Sequence, residues 1–102
     1  MSKFVYIYHG NEKPESAEAG AALMARWGAW MESVGAAMVN PGAPVGMSKT
    51  LSSNGVADNG GSNPISGYSV VEADSFDAAV EIAKGCPHLD IGTIEVAEEM
   101  SM

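Results

Sequence analysis

The chain opens on a run of aromatic and β-branched residues, Lys3 to His9. Its alternation sets Val5, Ile7 and His9 on one side and Phe4, Tyr6 and Tyr8 on the other. Both sides are largely apolar, so the run reads as a central strand that needs cover on each face. Gly10 to Pro14 is a polar loop, and Pro14 suits the first turn of a helix, with Glu15 and Glu18 near its positive end. Leu23, Met24, Trp27, Trp30, Met31 and Val34 then recur at helical spacing as one stripe. Gly35 fits the residue just past that helix.

A short second strand over Ala36 to Asn40 is closed by Pro41-Gly42-Ala43-Pro44. The glycine-rich stretch that follows, up to about Gly67, reads mostly as loop. Within it Lys49 to Ser52 reads as a strand and Asn54-Gly55 as a hairpin turn. Asn59-Gly60-Gly61 and Asn63-Pro64 mark further turns. Long segments of this kind are usually functional or mobile. Gly67 to Ala73 is a third long strand, and Asp74 or Ser75 can cap a helix whose inner face is Phe76, Ala79, Val80 and Ala83. Gly85 and Pro87 end it, and Gly92 to Ala97 is the last strand.

The resulting order, β-α-β-(β)-β-α-β, predicts one α+β domain over residues 1–102 with a ferredoxin-like βαββαβ fold. An antiparallel sheet carries both helices on one face. The opposite face is then bare. Assigning Phe4, Tyr6 and Tyr8 to it predicts a second copy of the chain packed sheet to sheet, a homodimer.

Composition narrows the function. With 46% hydrophobic and 18% charged residues in 102, the chain is a folded single domain. Thirteen acidic against five basic residues give a net charge of −8. The bases are scattered, so a nucleic-acid partner is not expected, and an acidic membrane surface repels the chain. Cys86 is the single cysteine and there are two histidines, which argues against a disulfide framework or a zinc site. No apolar run is long enough for a membrane span, and the one at the N-terminus is short for a secretory leader, so the default location is cytoplasmic.

The candidate chemistry is sparse. His9 ends the first strand, and His88 follows Cys86-Pro87; either can carry a proton near neutral pH. Cys86 and His88 form a thiolate–imidazolium pair only if the proline does not splay them, and Cys86 reads as a buried thiol at a helix stop. Trp27 reads as core. Trp30, nearer the stripe's edge, is a candidate for lining a pocket, as are Tyr8 and Tyr68. Asp74 reads as a cap, and Glu72 as a base only if the face it shares with Val70 and Tyr68 is covered. The glycines form neither a dinucleotide nor a P-loop fingerprint, and no metal, flavin or nucleotide cofactor is expected.

From Gly67 to Leu89 the chain reads Gly-Tyr-Ser-Val-Val-Glu-Ala-Asp-Ser-Phe-Asp-Ala-Ala-Val-Glu-Ile-Ala-Lys-Gly-Cys-Pro-His-Leu. With Tyr-Ile-Tyr-His-Gly near the start, Met-Ala-Arg-Trp-Gly-Ala-Trp-Met-Glu-Ser-Val-Gly in the first helix and the closing Thr-Ile-Glu-Val, it resembles the YCII-related family, nearest its DGPF branch. The resemblance covers about residues 3 to 97. It implies a dimeric α/β barrel, an acid/base His and Asp, and relatives with lyase- or isomerase-type chemistry on small cyclic substrates. Here the family's His and Asp positions hold Met24 and Cys86, which cannot form that pair. Asp58-Asn59-Gly60-Gly61 stands where Asp-Gly-Pro-Phe is expected. The expectation is therefore a small homodimer that binds an organic molecule between the first helix and the sheet, near Tyr8, His9, Trp30, Tyr68 and His88. The alternatives are a cofactor-free lyase or isomerase with His9 or His88 as proton carrier, and a non-catalytic regulatory module.

Overall fold

The computed structural model describes residues 2–10, 15–58 and 64–100. Strands β1 (Ser2–His9), β2 (Met38–Pro44), β5 (Ile65–Ala73) and β6 (Thr93–Glu98) form one antiparallel sheet in the order β2-β5-β1-β6. Helices α1 (Ala17–Val34) and α2 (Phe76–Lys84) pack against it. This is the ferredoxin-like α+β arrangement that the element order predicts. Between β2 and β5, strands β3 (Lys49–Ser52) and β4 (Gly55–Asp58) form a separate hairpin.

Both helices start on a serine whose side chain satisfies an otherwise orphaned amide. Ser16 Oγ accepts from Ala19 N at 3.1 Å, and Ser75 Oγ accepts from Ala78 N at 3.0 Å. Ser75, not Asp74, is thus the second cap. Pro14 lies outside the described residues, as do Asn59-Gly60-Gly61 and Asn63. The hairpin turn holds Ser53 and Asn54, and Gly55 already pairs with Ser52.

The aromatic row of β1 faces the opposite way from the expectation. Phe4, Tyr6 and Tyr8 are buried beneath the helices with Trp30, Val71, Ala73, Ala79, Ala83 and Cys86. The face left uncovered by helices carries Val5, Ile7 and His9, with Val70 opposite Val5 on β5 and Ala97 opposite it on β6. Helices stand farther from a sheet than a neighbouring strand does, so the larger rings fill that gap. Tyr6 donates its hydroxyl to the carbonyl of Ala79, and Trp30 donates Nε1–H to the carbonyl of Ile82 at 3.0 Å. Both large side chains thus meet their polar requirement inside the core.

Strand β2 differs as well. Gly35–Ala37 is a 3₁₀ turn, and the strand runs straight through Pro41 and Pro44. It tolerates them because β2 is an edge, where a missing amide hydrogen deprives no neighbour. Its pairing with β5 slips between Asn40 and Ala43. There Asn40 Oδ1 accepts from Gly42 N at 2.9 Å, and Gly42 takes a φ of 69°.

Candidate functional site

A cleft of about 1000 Å³ opens between α1, the sheet and the segment that follows Asn40. Tyr8, Gly67 and Ser69 floor it, and α1 contributes Met24, Trp27, Gly28 and Met31. Residues 41–48 form the outer wall, and His88 closes one end. None of the described residues lining it is charged. That volume suits a drug-sized organic molecule.

Three rings meet at the closed end. Trp27 stands edge-on to Tyr8, with centroids 5.3 Å apart, and His88 lies 5.2 Å from Tyr8 and 6.4 Å from Trp27. The Tyr8 hydroxyl donates to Ser69 Oγ at 2.8 Å, and Ser69 donates in turn to the carbonyl of Pro41 at 2.9 Å. This relay ties the sheet floor to the outer wall. Ser66 Oγ donates to the carbonyl of Tyr8 at 3.1 Å.

His88 is only 5% exposed. Pro87 starts a 3₁₀ turn, Pro87–Asp90, that swings the imidazole inward beneath the end of β1. Nε2 lies 2.8 Å from the carbonyl oxygen of His9. A carbonyl only accepts, so Nε2 carries the hydrogen. Gly92 makes this approach possible, since a Cβ there would stand 2.0 Å from the His9 oxygen and 2.7 Å from Nε2.

The predicted site residues divide. Tyr8 and His88 line the cleft, whereas Tyr68, in register with Ile7, sends its side chain to the helix-free face and adjoins the cleft only from β5. His9 does not: its side chain lies on the helix-free face, where Nε2 approaches Glu95 Oε1 at 3.5 Å. The two histidines meet through the backbone of one and the ring of the other, not as a pair of rings over one cavity. Trp30 is 6% exposed and turned into the core, and Trp27 takes the position over the cleft. Sequence reasoning passed over Ser69 and Ser66. A serine in the apolar phase of β5, between Gly67 and Val71, was the available signal for Ser69.

Met24, at the family's helix-borne His position, is 70% exposed at the cleft's edge. Cys86, at the Asp position, is buried, and burial pushes its thiol up to about 11 against a weaker opposing backbone hydrogen bond with His88. It is therefore a protonated, inert thiol at neutral pH. Among the described residues no group of three His, Cys, Asp or Glu side chains is placed to hold a metal ion. Among the described residues no helix is long and apolar enough to cross a membrane.

Burial also raises the Tyr6 hydroxyl to about 12 and lifts that of Tyr8 despite its bond to Ser69. These groups keep their protons in the folded protein after the unfolded chain has lost its own. Stability is thus unaffected by them below about pH 9 and falls above it, first through Cys86 and then through the tyrosines. Each group contributes at most about 1.4 kcal/mol per pH unit. Urea unfolding at pH 8, 10 and 11 will show this decline, and Cys86→Ala will remove the part that begins near pH 9. A flat profile to pH 11 contradicts the buried, protonated thiol.

Comparison with curated proteins finds no match. The model of the YCII-related domain matches residues 4–102, and the chain belongs to the YCII-related family.

Proposed function

We propose that the protein binds a small, largely apolar organic molecule in the cleft between α1 and the sheet, and that it does so as a homodimer. The observation that carries the first part is the cleft itself: about 1000 Å³, uncharged, with Trp27, Met24 and Met31 on one wall and Tyr8 on its floor. Thioether and aromatic surfaces adapt to flat apolar ligands at little entropic cost. The dimer reading rests on the helix-free sheet face, where Val5, Ile7, Val70 and Ala97 form a contiguous apolar centre. Lys3 and Glu72, paired across β1 and β5, and Glu95 on β6 border it. An apolar centre within a polar border is the usual anatomy of a subunit interface.

A cofactor-free proton-transfer enzyme is the second reading, and His88 is what favours it. It is the titratable imidazole in the cleft, held in one orientation by the His9 carbonyl. His9 contributes its backbone to that arrangement, and its ring faces away.

Native mass spectrometry of the purified protein tests the binding reading. The expected species is twice the chain mass with additional small-molecule mass, which denaturing conditions release. Gly28→Leu supplies the control. A Cβ at Gly28 meets nothing within 4 Å, so the added side chain fills the cleft without straining the helix. This variant is expected to remain dimeric and lose the extra mass. A wild-type monomer overturns the dimer, and retention of the mass by Gly28→Leu overturns the cleft as its site.

A further inference from the structure

Resting on that reading of the cleft, we infer that its ligand is an uncharged aromatic molecule bearing an O–H or N–H donor, and that His88 Nδ1 accepts that hydrogen. The hydroxyls and the anchored imidazole N–H at the closed end have spent their protons within the protein. Tyr8 donates to Ser69, Ser69 to Pro41, Ser66 to the carbonyl of Tyr8, and His88 Nε2 to His9. Apart from the indole N–H of Trp27, what this end of the cleft offers a ligand is acceptors. In the neutral ring the lone pair belongs to Nδ1, because the His9 carbonyl fixes the hydrogen on Nε2.

Nδ1 has no hydrogen-bond partner among the described residues. Nor is any unpartnered side-chain nitrogen or oxygen among them sealed from solvent. The large cleft is the cavity that His88 borders, so Nδ1 is reached from there. A 95%-buried imidazole with one nitrogen anchored and the other open is a built acceptor site. A ligand that leaves it unpaired forfeits a hydrogen bond in a water-poor pocket.

Charge selects in the same direction. A carboxylate would enter a cleft with no lysine or arginine and with its closed-end hydroxyl and imidazole donors already engaged, in a chain of net charge −8. Ser48, on the outer wall, is the cleft hydroxyl not committed in this way. The aromatic surface that Trp27, Tyr8 and His88 present together favours a ring over a branched aliphatic group.

Three probes of equal shape separate these elements: 2-naphthol, 2-methoxynaphthalene and 2-naphthoate. Binding is followed by the two tryptophan indole N–H resonances. Trp27 is expected to shift on saturation, while Trp30, bonded to Ile82 in the core, stays nearly fixed. 2-Naphthol is expected to bind about tenfold more tightly than its methyl ether, the loss of one hydrogen bond. 2-Naphthoate is expected to bind weakest of the three.

His88→Phe keeps a flat ring at the position of the imidazole and removes the Nδ1 acceptor without placing another there. It is expected to bind both neutral probes with equal affinity, an equalisation that a purely structural role for His88 does not produce. Equal binding of naphthol and its ether by the wild type overturns the acceptor and leaves the cleft reading intact. Preferred binding of naphthoate overturns the choice of an uncharged ligand. No shift of Trp27 with any probe overturns the inference and the cleft reading together. If His88→Phe does not fold, the wild-type preference decides.

Discussion

Tyr6→Ala is expected to lower the unfolding free energy by about 4 kcal/mol, the range for removing a buried aromatic side chain. Tyr6 is fully buried, its ring lies 6.4 Å from that of Trp30, and its hydroxyl satisfies the carbonyl of Ala79. Truncation leaves a cavity under both helices and orphans that carbonyl. At 4–8 °C per kcal/mol for a domain of this size, the melting temperature drops by roughly 20 °C. Tyr6→Phe isolates the hydrogen bond and is expected to cost about 1 kcal/mol. Ile7→Ala, one residue along and on the opposite face, is expected to cost the monomer about 1 kcal/mol, because that side chain is only half-buried there. Chemical denaturation of the three variants at concentrations that keep the chain monomeric makes the comparison. Equal losses at Tyr6 and Ile7 contradict the burial of the aromatic row beneath the helices.

The second large effect is expected at Gly42. Its φ of 69° lies in the left-handed region, and a Cβ there would sit 1.8 Å from the Tyr68 carbonyl oxygen. Gly42→Ala combines a left-handed penalty of about 1–2 kcal/mol with a backbone clash of similar size, about 3 kcal/mol together. The clash opposes backbone to backbone, so no rotamer relieves it. Strand β2 is at an edge and can peel from β5 without unfolding the rest. Amide exchange should therefore quicken in residues 38–48 well before the core of β1 and β5. The Ser69–Pro41 bond belongs to the same wall, and probe binding in the cleft should fall with it. Full protection of β2 together with unchanged binding would show that the wall yields without consequence.

Most of the topology was readable from the chain. The helical stripe ending at Gly35, the strand Gly67–Ala73 and the Cys-Pro stop after the second helix each follow from local chemistry. The orientation of β1 was not readable, because alternation sorts residues into two sets and both sets here are apolar. Which set faces the helices depends on how much volume the gap requires, a property of the assembled layers. Pro41 and Pro44 look like strand terminators. They are compatible with a strand only because β2 has a neighbour on one side, which the local sequence does not encode.

The candidate site was legible in part. Tyr8 and His88 fell at the cleft because they belong to elements whose ends converge there, whereas the Tyr68 side chain alternates onto the opposite face of β5. Trp27 and Trp30 exchanged roles because both lie on one helical stripe, and sheet and cleft divide that stripe at an angle that its periodicity does not fix. His88 owes its orientation to the carbonyl of His9, 79 residues away, and to the space left by Gly92. No local pattern carries a contact of that range.

The strand order has a consequence for how the protein is made. Of the four strands of this sheet β1 is made before the others and is central, and both of its partners come late: β5 starts at Ile65 and β6 at Thr93. At translation rates of about 5–20 residues per second, the interval from His9 to Ile65 lasts roughly 3 to 11 s. Throughout it Phe4-Val5-Tyr6-Ile7-Tyr8 is an uncharged, proline-free, strand-forming segment with nothing in its own chain to pair with. Lys3 on one flank and His9 on the other are its nearby polar gatekeepers. The sheet therefore closes only after β6 has been made, and the yield of folded protein depends on how well the β1 segment is kept from other chains until then.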